Sequence, residues 1–377
     1  MVWNNDGFLI PHADETTCIH CGLCLKQCIA VKPTNSVQPN NASCSVYAAW
    51  STAPELQNQS SSGGIFSALA LEVIKQNGIV YGVIWKNPYD AVFSSAESAA
   101  ELASMRGSKY TQAIPGKVYQ NVLTQLKKGR QVLFAGTSCQ VHALKKYIKK
   151  PYDNLLCIDI VCHGVPSRLL LNKYIKEAEA NSKKTIHHIS FRDKPEGWRR
   201  FHVTRHYTDK TTDSLPLGHD NYMRLFLSDK ILNQACYDCP YIKATREGDI
   251  SLGDFWGIET YHPEAPLKQG VSAVITNTAK GTRAFLKLKE KQQINFIQEA
   301  FEHLIPHQAG FRRHVQSPPY DRHLVLKELH KLCLPKIIDK YINSEKIGPL
   351  RFRTGSRLHQ LALKLRSYWR KAKIRLK

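Results

Sequence analysis

Apolar residues recur at helical spacing through Ile65-Phe66-Ser67-Ala68-Leu69-Ala70-Leu71-Glu72-Val73-Ile74, and Ser60-Ser61-Ser62-Gly63-Gly64 just before them marks the helix entry. Three continuous apolar runs, at 78–85, 131–135 and 155–161, read instead as buried strands. Helical patterns lie between and after them. Strands alternating with helices predict an α/β class, α+β overall, with a mixed, mostly parallel sheet and crossover connections. The second strand delivers Gly136-Thr137-Ser138-Cys139-Gln140 ahead of a helix starting near Val141. The third delivers Cys162-His163-Gly164-Val165-Pro166-Ser167. Both turns then fall at the carboxyl edge of the sheet, where ligands gather. Residues 31–59, rich in Asn, Ser, Pro and Gln with few periodic apolar positions, read as a loop or linker.

Composition narrows the class. A chain of 377 residues with 42% hydrophobic and 22% charged residues has the makings of two or three packed domains. No stretch approaches the roughly 18 apolar residues of a spanning helix, and Met1-Val2-Trp3-Asn4-Asn5-Asp6 lacks the features of a signal peptide, so a cytoplasmic location is expected. In a reducing compartment, 11 cysteines suit metal ligands better than disulfides. The net charge of +22 is concentrated towards the end, where residues 351–377 contain no acid. There Leu358, Leu361, Leu365, Tyr368 and Ile374 fall near one helical face among the cations. Such a tail suits an anionic membrane at its inner face or an acidic partner, or a solvated helix packed on its own domain. Without an aromatic-rich motif or zinc-finger spacing, direct nucleic-acid recognition is not expected.

The cysteines carry the chemistry. Cys18, Cys21, Cys24 and Cys28 have the C-x2-C-x2-C-x3-C spacing of a bacterial iron–sulfur motif, in which short loops wrap one compact cluster and Gly22 lets the backbone pass close. Residues 5–11 with Asp14 resemble the lead of the second half of a two-cluster ferredoxin whose first half is absent. Three readings of Cys28 are therefore open: it closes the cluster of its own run, it yields to another cysteine such as Cys44, or the true start lies upstream. Ile29 stands where ferredoxins place proline. Cys236-Tyr237-Asp238-Cys239-Pro240 is a further C-x2-C pair. With Cys139 and Cys162 it could supply a second cluster; half a zinc site, a dithiol pair and a structural Cys139 are the alternatives. Cys157 and Cys333, among apolar neighbours, read as core.

Several short motifs, in order along nearly the whole chain, resemble the beta subunit of coenzyme F420 hydrogenase and dehydrogenase. They are Ser61-Ser62-Gly63-Gly64, Arg106-Gly107-Ser108-Lys109-Tyr110, the Gly136 to Gln140 turn, Cys162-His163-Gly164, Phe191-Arg192-Asp193-Lys194 with Gly197-Trp198, and the run from Gly248 to Gly257. Ser138 stands where relatives commonly carry proline. The resemblance implies a ferredoxin-like segment at 1–40, a flavin-binding α/β region at 41–130 and 131–345, and a basic tail at 346–377. It implies FAD beside one or two [4Fe-4S] clusters, and electron transfer between a ferredoxin-like protein and an unidentified two-electron small molecule. Many bacterial relatives accompany polysaccharide biosynthesis. On this resemblance Ser61, Ser62, Gly63 and Gly64 cradle the FAD diphosphate, with Arg106, Lys109, Gly136 and Thr137 nearby, while His163, Asp249, Asp254 and Trp256 have either site or structural roles. A non-catalytic accessory protein of polysaccharide biosynthesis and a basic zinc-binding interaction protein are the competing classes.

Overall fold

The computed structural model describes residues 1–27, 44–242, 246–312 and 321–344. An eight-stranded sheet forms its centre, built from β3 (Ser45–Ser51), β4 (Ile79–Asn87), β5 (Asp90–Ala96), β6 (Val132–Thr137), β7 (Leu155–Ile160), β11 (Ile250–Asp254), β12 (Ser272–Thr276) and β13 (Ile294–Glu299). The spatial order is β13-β3-β12-β11-β7-β6-β4-β5. The four strands β11, β7, β6 and β4 are mutually parallel, and two antiparallel steps through β12 return β3 to the same direction. Most strands thus run one way, as the alternation of strands and helices predicts. The sheet draws β3 to β5 from residues 41–130 and its other strands from 131–345.

Alternation along the strands assigns the two faces. Val80, Leu133 and Ala135 pack under the helices Ile65–Lys75 and Ala279–Glu290 through Ala68, Leu69, Phe285 and Leu288. Ile79, Val132 and Phe134 face the helices Val118–Lys127 and Ser138–Ile148 through Val122, Leu126, Val141 and Leu144. With helices on both sides, these strands need apolar residues at every position, which is why they read as continuous runs.

The reading of 31–59 as a loop is corrected by β3 and by the helix Pro54–Asn58 that follows it. Ser45-Val46-Tyr47-Ala48-Ala49-Trp50-Ser51 is buried on both faces between β12 and β13, so it shows no alternation, and its alanines have little strand preference of their own. Cys333 is exposed rather than core, at the entry to the helix Leu334–Ile338, whereas Cys157 is buried as expected, its thiol pushed up to about 12 by burial and then by Asp249.

A second layer carries β8 (Ile186–Asp193), β9 (His202–Tyr207) and β10 (Thr212–Pro216), an antiparallel sheet in the order β10-β9-β8. Ile189, Phe191 and Val203 pack with Leu171, Tyr174, Tyr222 and Phe226 from the helices Arg168–Ser182 and Asn221–Leu227. Phe8 joins this core from the short hairpin β1 (Val2–Trp3) and β2 (Leu9–Ile10). Among the described residues no helix is long and apolar enough to cross a membrane. The basic tail and Cys28 lie outside the described residues.

Gly63 shows how closely the serine and glycine entry lies against the backbone of β3 and β12. A Cβ there would lie 2.3 Å from the Ala49 carbonyl oxygen and 2.9 Å from the Ser272 nitrogen, both backbone atoms. Gly63→Ala is expected to cost about 1–3 kcal/mol, read as a lowered urea midpoint with an unchanged slope.

Candidate functional site

The carboxyl edge of the parallel strands gathers four thiols from three places in the chain. Thr137 ends β6 and caps the helix Ser138–Ile148 in a capping box with Gln140, whose Oε1 accepts from Thr137 N–H at 2.9 Å. This fixes Cys139 in the first helical turn, with Thr137 Oγ1 3.0 Å from its sulfur. Gly136 lies against Gln140, so Gly136 and Thr137 serve this cap. Cys162 follows β7. Residues 165–167 are then laced to 231–233: Ser167 N–H donates to Ile231 O, Asn233 N–H donates to Val165 O, and Pro166 pairs with Leu232. The short helix Gln234–Tyr237, capped by Asn233, therefore starts beside Cys162 and carries Cys236, with Cys239 just beyond.

Cys139, Cys162, Cys236 and Cys239 lie near enough to act on one another electrically. Burial raises the Cys162 thiol most, and Cys236, Cys139 and Cys239 raise it further. Burial pushes Cys236 up to about 12, helped by Cys139 and Cys239. Cys139 opens to solvent, yet the protein around it also raises its thiol. Backbone amides point at all four sulfurs: Gln140 at Cys139, Gly164 at Cys162, Val165 at Cys236, and Tyr241 and Ile242 at Cys239. Such amides favour thiolates. No three His, Cys, Asp or Glu groups among the described residues converge tightly enough for a single metal ion.

Asp159, fully buried at the end of β7, organises this edge and is missed by sequence reasoning. Its Oδ2 accepts from Ser138 Oγ at 2.8 Å and from the Glu247 and Gly248 amides, and Arg246 Nε lies 3.5 Å away. An aspartate inside an apolar run is the signal that could have found it. Asp249 is structural, accepting from Cys157 N–H and Thr278 Oγ1. His163 Nε2 lies 2.8 Å from Asp229 Oδ1, with its ring edge-on to Phe226.

The first cysteine run is held differently. Cys18 is half-buried, and Cys21 and Cys24 are exposed. Gly22 has φ +68° with no atom near a notional Cβ, a backbone conformation suited to glycine. The segment is anchored upstream of the run, where Gln112 brackets the Leu9 backbone, Ser167 Oγ donates to Asp6 O, Arg168 N–H donates to Gly7 O, and the Arg168 guanidinium lies 4.5 Å over Trp3. It thus docks on the turn that follows Cys162. Phe8→Ala is expected to remove about 3–5 kcal/mol of packing; limited proteolysis should then cut within 1–27 while the body stays intact. Cys44, half-buried, packs against the core cluster that contains Phe255 and Trp198.

The serine and glycine entry sits at the same edge, at the start of the helix Ile65–Lys75, whose first turn has no side-chain cap. Gly64 has φ +87°. Much of this entry has partners inside the protein. Ser61 Oγ lies 3.1 Å from Ser108 Oγ and accepts from Ser108 N–H, Ser62 Oγ donates to Val271 O, and Gly63 N–H donates to Ser272 Oγ. Arg106 reaches Ser67 Oγ in the first helical turn and Gln59. The Lys109 ammonium turns elsewhere, to the Ser104 and Arg106 carbonyls.

Arg192 and Asp254 join these motifs. The buried guanidinium makes two bonds to the carboxylate, 2.8 and 3.0 Å, and also donates to Tyr110 Oη and to Ser61 O. Trp198 Nε1 donates to Asp254 Oδ1 at 2.7 Å, and the Trp198 ring stacks on Trp256 at 4.6 Å. Lys194 Nζ adds bonds to Gln57 O, Ser62 O and Gln269 O. Motifs widely separated in the chain therefore meet at one buried ion pair.

The fold is thus an α/β sheet whose carboxyl edge gathers four cysteines and a glycine-containing helix entry beside Arg106. The chain belongs to the coenzyme F420 hydrogenase/dehydrogenase beta subunit family: the model of its N-terminal part matches residues 46–118 and that of its C-terminal part residues 129–300. Membership carries an oxidoreductase function of the iron–sulfur type. No curated protein matches the sequence. Among solved structures, a chain of the F420-reducing [NiFe] hydrogenase complex from Methanosarcina barkeri is similar at 18% identity and a TM-score of 0.47, over 79% of this chain and 91% of that one.

Proposed function

We propose that this chain is an iron–sulfur flavoprotein that exchanges electrons with a ferredoxin-like protein and acts on a two-electron small molecule. The observation that carries the reading is the convergence of Cys139, Cys162, Cys236 and Cys239, with amides directed at their sulfurs. These four cysteines would hold one [4Fe-4S] cluster, and Cys18, Cys21 and Cys24 would supply ligands to another. Bound clusters and FAD would supply the step between one-electron and two-electron chemistry. The uncapped start of the helix Ile65–Lys75, with Arg106 on its first turn, suits a diphosphate. Ser61, Ser62 and Gly63 would contribute by shaping the entry, since their polar atoms already have protein partners. The exposed Cys21 and Cys24 place the first run where a partner protein can reach it. A role in polysaccharide biosynthesis belongs to the same reading.

The test is anaerobic purification with iron, acid-labile sulfide, zinc and released flavin measured per chain. About eight irons and one FAD are expected for two clusters and a flavin. Zinc without flavin would replace this reading with that of a metal-stabilised binding protein.

A further inference from the structure

From residue 102 to residue 152 the chain carries 10 lysines and arginines and no aspartate or glutamate. Folding turns much of this stretch into one outer face of the molecule. The helices Val118–Lys127 and Ser138–Ile148 both pack on the Phe134 side of the sheet, with Val122, Leu126, Val141 and Leu144 turned inward. What remains outside is basic: Lys117, Lys127 and Lys128 are exposed on or beside the first helix, and Lys146, Lys149 and Lys150 on or beside the second. Two acids that border this face are engaged, Glu97 with Arg130 at 2.8 Å and Glu247 with His142 at 3.3 Å, and Asp153 stands where the run ends. The layer across the sheet differs, because there Glu72 of the helix Ile65–Lys75 pairs with Lys287 and Lys291. Crowded like charges repel one another, and an acidic partner relieves that cost.

The same face carries an aromatic pair. Tyr147 is 46% exposed, and the ring of Tyr119 lies 6.2 Å from its own, so the pair bridges the two helices. Tyrosine among cations is the pattern of a protein interface, in which aromatic anchors supply affinity and charges steer the encounter. A membrane-binding face would present Leu, Phe or Trp, whereas Tyr147 is the one large hydrophobic residue exposed between 102 and 152. The helix that carries Tyr147 opens with Cys139, which is exposed at the carboxyl edge. That helix is about 16 Å long, and a standard interface covers about 800 Å² a side, roughly 30 Å across. A protein docked over Tyr147 therefore reaches the edge where the four cysteines gather.

We propose that the outer face of the helices Val118–Lys127 and Ser138–Ile148 docks an acidic protein, and that this protein is the electron carrier of the proposed function. Naming it a carrier rests on the iron–sulfur reading; the docking face itself does not. The lysines set the rate of encounter and its salt dependence, and Tyr147 supplies the contact that salt does not screen.

The probe is an oxidised two-cluster [4Fe-4S] ferredoxin of strongly negative net charge, titrated calorimetrically into the anaerobically purified protein. Saturable binding is expected, weakening at least tenfold between about 50 mM and about 300 mM salt. The double variant Lys146→Glu with Lys150→Glu should bind at least tenfold more weakly at low salt. Tyr147→Ala should bind several-fold more weakly at both salt levels. Lys75→Glu, exposed at the end of the helix Ile65–Lys75 across the sheet, should bind as the wild type does. Absence of binding at low salt, or equal binding by the wild type and the double lysine variant, would overturn the docking face. Tighter binding of anionic vesicles or duplex DNA than of the ferredoxin at the same salt would overturn the choice of partner. Failure of the iron–sulfur reading shows separately, as a preparation without iron or flavin that still binds the ferredoxin.

Discussion

Cys162→Ser is expected to lower the iron content by about four per chain and to leave the first run loaded. Electron transfer to any acceptor that depends on the second cluster should fall at least a hundredfold. Cys162 is half-buried, and burial together with Cys236, Cys139 and Cys239 raises its thiol. Its segment also starts the lacing of 165–167 to 231–233 that brings Cys236 and Cys239 into place. Serine keeps the volume and offers a poorer ligand, so a folded protein with reduced iron separates ligation from collapse. Cys157→Ser is the control: Cys157 lies in the core behind the edge, so its iron content should equal that of the wild type. An unchanged iron content in Cys162→Ser would remove this cysteine from the ligand set.

Asp254→Ala is expected to destabilise the fold by about 3–5 kcal/mol, because it leaves the Arg192 guanidinium buried without its counter-charge. The side chains of Arg192 and Asp254 are only 6% and 14% exposed. Arg192→Met should cost a comparable amount, and the double variant Arg192→Met with Asp254→Leu should cost less than the sum, since neither orphaned charge remains. Denaturant unfolding of the four proteins measures the coupling. Additive losses would mean that solvent reaches the pair. The same variants should loosen the Ser61 and Tyr110 segments that Arg192 ties together; if the chain carries flavin, its retention on gel filtration is expected to fall with stability.

The parts legible in the sequence are those with a single local cause. Strands β4, β6 and β7 announce themselves because both faces are covered along most of their length and nearly every position there is apolar. The turns bearing Cys139 and Cys162 follow from where those strands end. Strand β3 is hidden by its alanines and by its polar flanks. The small sheet is hidden because a register shift between Ile186 and His188 leaves His187 exposed, and Arg205 stands opposite Ile189 on the face that packs on the core, which blurs the alternation. The Arg192–Asp254 pair could be seen only as two unexplained motifs, since what joins them is a contact between residues 62 positions apart. For the same reason the serine and glycine entry suggests a phosphate cradle in sequence, while in space its glycine answers first to the backbone of β3 and β12.

The lacing between 165–167 and 231–233 also bears on the order of events at the ribosome. The first cysteine run is complete within a few residues of emerging, and a chain with only its opening segment synthesised already contains every sulfur of that motif. The second set cannot assemble until residue 239 has left the exit tunnel and the strand carrying Asp159 has settled beside its neighbours. A cluster held by that set would have to wait for those long-range contacts, which form slowly. If both sets hold clusters, chains made in cells short of iron are expected to have the early motif filled and the late one empty.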